Sequence, residues 1–188
     1  MATDATIYDA LKKDHRALQE LLDRLVRFSE NDHDDWKSVV DQIRDEVIPH
    51  ARAEEALFYN AIRELDSDND VVGHSYVEHA MGEADLRALQ AMKAIDVNWT
   101  KLAQKLRADL LHHIEEEESK VFAAAQALFT EEEAVMIGEA FERLKPEVRE
   151  EGLVGTSMDL VLNMLPRRVA SVFQKKDRQP TIGRSPGA

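Results

Sequence analysis

Two histidine–glutamate pairs in this sequence are spaced so that both members of a pair can bind one ligand. His50 and Glu54, and likewise His113 and Glu117, are four residues apart. On an α-helix that spacing places two side chains roughly 40° apart and one turn above each other. An imidazole and a carboxylate in this arrangement can bind the same metal ion. The two pairs therefore predict metal chemistry, provided that both lie on helices.

The His-x-x-x-Glu pattern occurs more often than chance allows. Glutamate accounts for 20 of the 188 residues, so the seven histidines should give roughly 0.7 such pairs. Five pairs are present, and they begin at His50, His74, His79, His112 and His113. Runs of adjacent glutamates inflate this number, so the register of each pair along the chain has to select the relevant ones.

The sequence repeats itself at an offset of 63 to 64 residues. Residues 50–54 align with residues 113–117. Residues 14–15 align with residues 78–79. The pattern indicates two copies of a helical hairpin, each with one histidine on its first helix and a His-x-x-x-Glu pair on its second. The repeat selects six candidate metal ligands: His15, His50, Glu54, His79, His113 and Glu117.

The elements that must position these ligands are amphipathic helices. Apolar residues recur at spacings of three and four through residues 1–130, which is typical of helices around one core. The only glycines and prolines in this part are Pro49, Gly73 and Gly82, and Pro49 should bend the second helix just before His50. We predict an all-α fold in which residues 1–130 form an up-down-up-down four-helix bundle. The candidate ligands fall on the apolar stripes, so the bundle should bring all of them to its axis.

The remainder of the chain has a different character. Thr130 followed by three glutamates predicts a capping box that starts a fifth helix, ending near Arg149. A short apolar helix at MDLVLNMLP, residues 158–166, is expected to complete a helical extension over residues 131–165 that packs on the bundle. Residues 166–188 contain six basic residues and one acidic residue, and we predict a basic, largely disordered tail there.

Six polar ligands in one core layer need compensation. An unpaired buried carboxylate costs several kcal/mol, and a pair of metal ions would remove that cost. Imidazole and carboxylate without thiolate suit Fe, Mn or Zn, whereas Ca and Mg prefer all-oxygen shells. The ligands outnumber what one zinc ion needs, so a dinuclear site is the simplest interpretation. The alternative is a bundle whose polar core residues satisfy one another and buried water.

Composition argues against several other classes of protein. The chain has no cysteine, which excludes disulfide frameworks, thiolate metal sites and a thiol nucleophile. Its formal net charge of −13 argues against nucleic acid as a partner. No apolar run approaches the ~18 residues needed to span a membrane, and the first residues are acidic. We therefore expect no membrane partner and a soluble, cytoplasmic protein.

Four segments taken together resemble the hemerythrin-like, or HHE cation-binding, family. They are DHRALQELL around His15, HARAEEALFY from His50, VEHAMGEADL around His79 and HIEEEESKVF from His113, and the resemblance covers roughly residues 7–129. It implies a four-helix bundle with a non-haem di-iron centre, in which the six residues selected above are the ligands and an oxo or hydroxo group bridges the irons. Mn or Zn could substitute for iron. The resemblance also implies small ligands such as O₂, peroxide or NO.

The sequence departs from oxygen-carrying hemerythrins at two points. Those proteins have two histidines one turn apart on the third helix, but the position four before His79 is Ser75, and His74 lies off the apolar stripe. Their fourth helix ends its motif with an aspartate at a longer spacing, where this chain has Glu117. Both departures argue against reversible O₂ carriage. The absence of cysteine also disfavours the iron–sulfur-repair branch of the family.

Residues near the candidate ligands are interpreted from their positions on the predicted helices. Tyr76 is interpreted as a packed core tyrosine, with a role as metal ligand or hydrogen-bond donor as the alternative. Glu83 is interpreted as a boundary carboxylate, with a role at the metals as the alternative. Glu55 and Glu118 each follow a candidate ligand by one residue, and should contact the ligands from outside or lie on the surface. Two further histidines are expected in solvent: His33 and His112.

Three functions remain open for a protein of this kind. The first is a binding protein that uses O₂ or peroxide-level species for sensing, storage or scavenging, and this is the function we expect. The second is a di-iron enzyme that decomposes peroxide or reduces NO, with Tyr76 or Glu83 delivering protons. The third is an iron-handling bundle whose metal site is mainly structural.

Overall fold

All regular structure in the described part of the chain is helical, as predicted. The computed structural model describes residues 5–30, 35–67, 70–151 and 163–176. In chain order its helices are α1 (Ile7–Leu25), α2 (Trp36–Glu54), π1 (Glu55–Tyr59), α3 (Asn60–Leu65), α4 (Gly73–Ala91), α5 (Val97–Glu116), π2 (Glu117–Val121), α6 (Phe122–Leu128), α7 (Glu131–Glu151) and α8 (Arg167–Lys176). None of the described helices is long and apolar enough to cross a membrane.

Helices α1, α2, α4 and α5 form the four-helix bundle. Each packs against the next one along the chain, and α5 returns to pack against α1, so that the ring closes. Side-chain caps fix where two of these helices begin. Thr6 and Asp9 form a capping box on α1, and Asp96 accepts hydrogen bonds from the backbone of Asn98 and Trp99 at 2.8 Å.

One polar layer divides the apolar core of the bundle into two halves. Leu18 and Leu86 belong to one half, and Leu11 and Leu57 belong to the other. The candidate ligands lie between these halves; His15 on α1, for example, separates Leu11 from Leu18. Apolar packing on both sides fixes the depth of the polar layer and keeps bulk water out of it.

The second helix of each hairpin contains a π-helical turn next to a candidate glutamate. π1 begins directly after Glu54, and π2 begins at Glu117. A π turn holds about one more residue than an α turn, so the apolar stripe shifts by one position after it. After π2, Ala125 and Phe129 are buried, whereas their neighbours Ala124 and Leu128 are only partly buried.

The predicted fifth helix is present as α7. The Thr130 backbone N–H donates to Glu133 Oε2 at 2.9 Å, and the Glu133 N–H donates to Thr130 Oγ1 at 3.2 Å, which is the expected capping box. α7 packs against both α1 and α2. The predicted apolar helix over residues 158–166 lies mostly outside the described residues.

The prediction of a largely disordered tail was wrong for its first part. Residues 167–176 form α8, which packs against α3 and buries Val169 completely. Arg168 anchors α8 through an ion pair between its Nε and Glu133 Oε1 at 2.6 Å. The excess of basic residues had suggested disorder, but the buried apolar residues Val169 and Ala170 dominate. Residues 177–188 lie outside the described part of the chain.

Candidate metal centre

The structure brings all six predicted ligands together in the polar layer. No residue of the set is more than 7% exposed. α1 supplies one histidine, α2 a histidine and a glutamate, α4 one histidine, α5 one histidine, and π2 the second glutamate, namely His15, His50, Glu54, His79, His113 and Glu117.

These residues form two groups, each with two imidazoles and one carboxylate. Triad A is His15, His50 and Glu117, and triad B is Glu54, His79 and His113. Within each triad, one possible ligand atom from every residue lies within 4.8 Å of the others. Each triad takes both histidines from one hairpin and its glutamate from the other. The sequence repeat therefore becomes a pseudo-twofold arrangement of two similar cation-binding groups.

Glu54, a member of triad B, also lies close to triad A. Its Oε2 is 3.3 Å from His79 Nε2 in triad B and 3.7 Å from His50 Nε2 in triad A. In triad A, Glu117 Oε2 is 3.1 Å from His15 Nε2. A carboxylate that reaches histidines of both triads has the geometry needed to bridge two cations.

Each candidate histidine has its outer ring nitrogen on a carboxylate. The Nδ1 distances are 2.8 Å for His15 to Glu118, 3.1 Å for His50 to Asp14, 2.9 Å for His79 to Glu55 and 3.0 Å for His113 to Glu78. An ionised carboxylate can only accept a hydrogen bond, so each Nδ1 must donate. Each neutral imidazole therefore presents the lone pair of Nε2 to the interior, which is the orientation found in metal-bound histidines.

The four outer carboxylates follow the sequence repeat. Asp14 and Glu78, which directly precede the first histidine of their hairpins, serve the histidine on the second helix of the same hairpin. Glu55 and Glu118 directly follow the candidate glutamates and serve the first histidine of the opposite hairpin. For Glu55 and Glu118 this agrees with the predicted contact from outside. For Asp14 and Glu78 the role was missed, although the repeat aligns the two residues.

Several buried polar atoms of the layer have no hydrogen-bond partner among the described residues. They are both carboxylate oxygens of Glu54, both carboxylate oxygens of Glu117, and His15 Nε2. His79 Nε2 and His113 Nε2 are only 3.1 Å apart, and with both Nδ1 atoms donating outward their lone pairs face each other. Buried acceptors directed at one another are unfavourable without a positive charge between them. The residues present therefore fit a pair of metal cations.

Burial and the neighbouring charges determine the protonation of the layer without metal. Burial raises the pKa of Glu54, and the adjacent Glu117 carboxylate raises it further. Burial also acts to raise the pKa of Glu117, but the neighbouring Glu54 carboxyl and His15 imidazole outweigh it and lower this pKa. Without metal, Glu54 is therefore the carboxyl group that holds a proton, and Glu117 is ionised. Burial lowers the pKa of His50 to about 4, so this imidazole is neutral at neutral pH, which is the form that binds metal.

The part of the chain that forms this centre matches a known protein family. The model of the hemerythrin HHE cation binding domain matches residues 6–125, which include all six candidate ligands and their four outer carboxylates. The chain belongs to this hemerythrin family. Membership agrees with the resemblance found in the sequence and makes the domain a cation-binding one.

Two other proteins are similar to this chain over most of its length. An uncharacterized hemerythrin-like protein of Schizosaccharomyces pombe is 29% identical over 141 residues, covering 74% of this chain and 68% of that protein. A DNA nickase of a Nostoc species is 26% identical over 150 residues, but the match spans only 41% of that protein and 78% of this chain.

A solved structure supports the fold independently. The crystal structure of a hemerythrin HHE cation binding domain-containing protein from Mycobacterium kansasii superposes with a TM-score of 0.65. It covers 86% of this chain and 99% of its own, at 19% sequence identity. At this level of identity the likeness shows the fold of the hemerythrin bundle and its extension.

Tyr59 is a polar residue of the hemerythrin site that sequence analysis did not single out. It is fully buried on π1, and its ring stacks on His79 with centroids 5.6 Å apart. Its hydroxyl lies beside Ser75 and Glu54 without a hydrogen bond of good geometry to either. Burial raises its pKa, as do the Glu117 and Glu54 carboxylates, so the O–H stays protonated. The repeat aligned Tyr59 with Phe122, and this single added hydroxyl was the available signal.

Other residues considered for the hemerythrin site lie outside it. Tyr76 donates to Asn60 Oδ1 at 3.0 Å, which agrees with a packed tyrosine. Glu83 pairs with Arg52 and Arg87, as expected for a boundary carboxylate. His74 and His112 have exposed side chains, at 68% and 59%. His33 lies outside the described residues.

Proposed function

We propose that this hemerythrin-family protein holds one iron in triad A and one in triad B. The ligands would be His15, His50, Glu54, His79, His113 and Glu117. We further propose that the di-iron centre binds O₂ or peroxide-level species for oxygen or redox sensing, storage or scavenging. The observation that carries the proposal is the convergence of imidazole lone pairs and partnerless carboxylate oxygens in one buried layer. Iron is chosen over Zn because chemistry with O₂ or peroxide requires a redox-active metal, and over Mn because the family resemblance implies a di-iron centre.

The chain's own residues divide the work around the metals. Bound iron would supply the electron transfer to O₂ or peroxide. The outer carboxylates hold the imidazole rings and strengthen them as donors. The apolar halves of the core exclude bulk water from the layer. Ser75 stands where oxygen-carrying hemerythrins have a histidine on the third bundle helix. Triad B would therefore offer one fewer protein ligand, which would leave a coordination position for a small molecule.

The test begins with aerobic purification, iron reconstitution and a near-ultraviolet and visible spectrum. The protein is then reduced without oxygen, and O₂ or peroxide is added while the spectrum is followed. A spectrum that changes and returns on reduction supports sensing or storage. An iron-free protein, or an iron-loaded protein whose spectrum does not respond to O₂, peroxide or NO, would contradict the proposal.

A second candidate function is an enzyme that decomposes peroxide or reduces NO. It is favoured by the Tyr59 hydroxyl, a buried O–H that is free to donate beside Glu54. A positioned proton donor is what O–O or N–O bond cleavage requires. Oxygen evolution from peroxide, or NO consumption under reducing conditions, at many turnovers per iron would favour this function over simple binding.

We infer that nucleic acid is not a partner of this chain, although a Nostoc relative is named a DNA nickase. The net charge of −13 repels a polyanion. A plasmid-nicking assay with the iron-loaded protein and Mg²⁺ tests this inference. Supercoiled plasmid should persist, and conversion to the open circle would contradict the inference.

A further inference from the structure

Two of the five His-x-x-x-Glu pairs meet on the surface, away from the triads. His74 and Glu78 are on α4, and His112 and Glu116 are on the neighbouring α5. His74 Nε2 is 3.4 Å from Glu78 Oε1, and His112 Nε2 is 3.9 Å from Glu116 Oε1. Ligand atoms of His74, Glu78 and Glu116 lie within 4.8 Å of one another. One exposed imidazole and two carboxylates thus form a cluster, and the His112 imidazole adjoins it through Glu116.

The pseudo-twofold repeat shows what is distinctive about this cluster. Glu78 corresponds to Asp14, and each carboxylate accepts from the Nδ1 of a candidate ligand. On Asp14 the remaining capacity is taken by Lys145 Nζ, at 2.7 and 2.9 Å. Among the described residues no lysine or arginine pairs with Glu78, whose second oxygen faces His74. Asp14 is thus paired with the fixed cation of Lys145, whereas its equivalent Glu78 adjoins a side chain that can bind metal.

The repeat also restricts the cluster to one hairpin. The positions equivalent to His74 and His112 are Ala10 and Pro49, neither of which can bind a cation through its side chain. His74 and His112 are therefore additions to the duplicated hairpin, and neither belongs to a triad.

One ammonium group competes for the cluster. Lys120 pairs with Glu116 along the same helix turn, and its side chain is 65% exposed. An exposed ion pair of this kind is weak and easily exchanged. A divalent ion held by several ligands can displace it, and the lysine can then extend into solvent.

We propose that His74, Glu78, His112 and Glu116 form a surface site for one first-row divalent transition-metal ion. Two imidazoles with two carboxylates suit Zn²⁺ or Fe²⁺ and do not suit Ca²⁺ or Mg²⁺. Because Glu78 also accepts from His113 Nδ1 at 3.0 Å, the ion lies one carboxylate away from triad B. The site does not depend on iron in the triads.

The test uses Zn²⁺ as the probe on the full chain. Wild type and the double variant His74→Ala/His112→Ala are compared by equilibrium dialysis and by zinc release to a chelator. Both side chains are exposed, so the variant should keep its fold and its melting temperature. We expect it to bind one fewer Zn²⁺ per chain, and the lost ion to be the one that exchanges rapidly. The matched control His33→Ala should retain wild-type stoichiometry.

A second variant tests the competing lysine. Lys120→Ala frees Glu116, so Zn²⁺ at the surface site should bind roughly two- to fivefold more tightly. Unchanged zinc stoichiometry in the double variant, or an equal loss in His33→Ala, would overturn the site. If Lys120→Ala bound Zn²⁺ as tightly as wild type or less tightly, Glu116 would not be a ligand of the surface site. The iron content of the triads is measured separately. A low iron content would contradict the proposed function and would leave the surface site unaffected.

Discussion

At the scale of single residues, the candidate centre depends on carboxylates that do not themselves reach the metals. Asp14, Glu55, Glu78 and Glu118 each fix one imidazole. The ligands could be predicted because their spacing repeats in two hairpins. The outer partners could be assigned only in part, since the choice of histidine depends on how neighbouring helices rotate against each other, and spacing within one helix does not report that rotation.

Replacing Glu118 with glutamine should weaken metal binding in triad A. The substitution removes the negative charge beside His15 Nδ1, which reduces the strength of Nε2 as a metal ligand. Loss of such an outer partner typically lowers metal affinity about 10- to 100-fold. A competition titration with a chromophoric chelator measures the change. Glu115→Gln, the same substitution at an exposed position nearby, is the control. Equal affinities in the two variants would contradict the assigned role of Glu118.

Tyr59→Phe should separate binding from turnover. The change removes a buried hydroxyl without a good hydrogen bond, so the free energy of unfolding should stay the same or rise slightly. Iron content should be retained, and peroxide decomposition or NO reduction should fall about tenfold or more if the hydroxyl donates a proton. Stopped-flow spectroscopy and oxygen evolution measure the rates.

Tyr76→Phe is the matched control for this test. It breaks the hydrogen bond to Asn60 Oδ1, which costs about 0.5–1.5 kcal/mol of stability, and should leave turnover unchanged. If both variants lost activity equally, the effect would be structural and the role of Tyr59 would be disproved.

At the scale of helices, the two π turns are the features that the sequence could not indicate. A π turn has no characteristic amino-acid composition. It shifts the spacing of apolar residues by only one position, which is too small a change to recognise in the sequence. Its effect is nevertheless visible in Phe129, which is more deeply buried than Leu128. In π2 the Ser119 hydroxyl donates to the backbone oxygens of Glu115 at 2.6 Å and Glu116 at 3.2 Å, and so satisfies carbonyls in the widened turn.

Deleting Ser119 should convert π2 into an α turn at little cost in stability. Because a π turn holds one more residue than an α turn, the deletion keeps Phe129 in the core. Deleting Ala123, an exposed residue of α6, instead rotates the following residues by about 100°, turns Phe129 out of the core and should cost about 3–5 kcal/mol. Urea denaturation measures both losses. A Ser119 deletion as destabilising as the Ala123 deletion would contradict the assignment of the extra residue to π2.

The ion pair that anchors α8 should give a specific pH dependence. Arg168 and the Thr130 cap lower the pKa of Glu133 from 4.5 to about 2. A lowered carboxyl pKa means that the stabilisation is complete above pH 4.5 and disappears as the pH falls toward 2. Glu133→Gln should therefore cost about 1 kcal/mol at neutral pH, because one partner is half exposed, and progressively less in acid.

Urea titrations of wild type and Glu133→Gln across this pH range measure the difference. Glu132→Gln, an exposed glutamate in the same helix turn, should show no such dependence. A difference between wild type and Glu133→Gln that stays constant from neutral pH to acid would contradict the assignment.

At the scale of the whole molecule, duplication is what made the architecture predictable. Two copies of one hairpin, each with an apolar stripe and the same polar positions, predict the closed ring of four helices and a polar layer at its centre. The extension is less regular, and its contacts could not be predicted because they are specific to one side of the bundle. Phe141 of α7, for instance, packs edge-on against His50 at 5.6 Å, and Lys145 neutralises Asp14. These contacts of the extension thus support triad A.

The most direct test of the account is the iron content per chain. Protein reconstituted with iron and passed through a desalting column with chelator should retain two irons per chain, and His50→Ala should retain clearly less, with a lower melting temperature in the iron-loaded state because metal binding contributes to folding stability. Fewer than about one iron per wild-type chain, together with unchanged stability in His50→Ala, would contradict the di-iron centre.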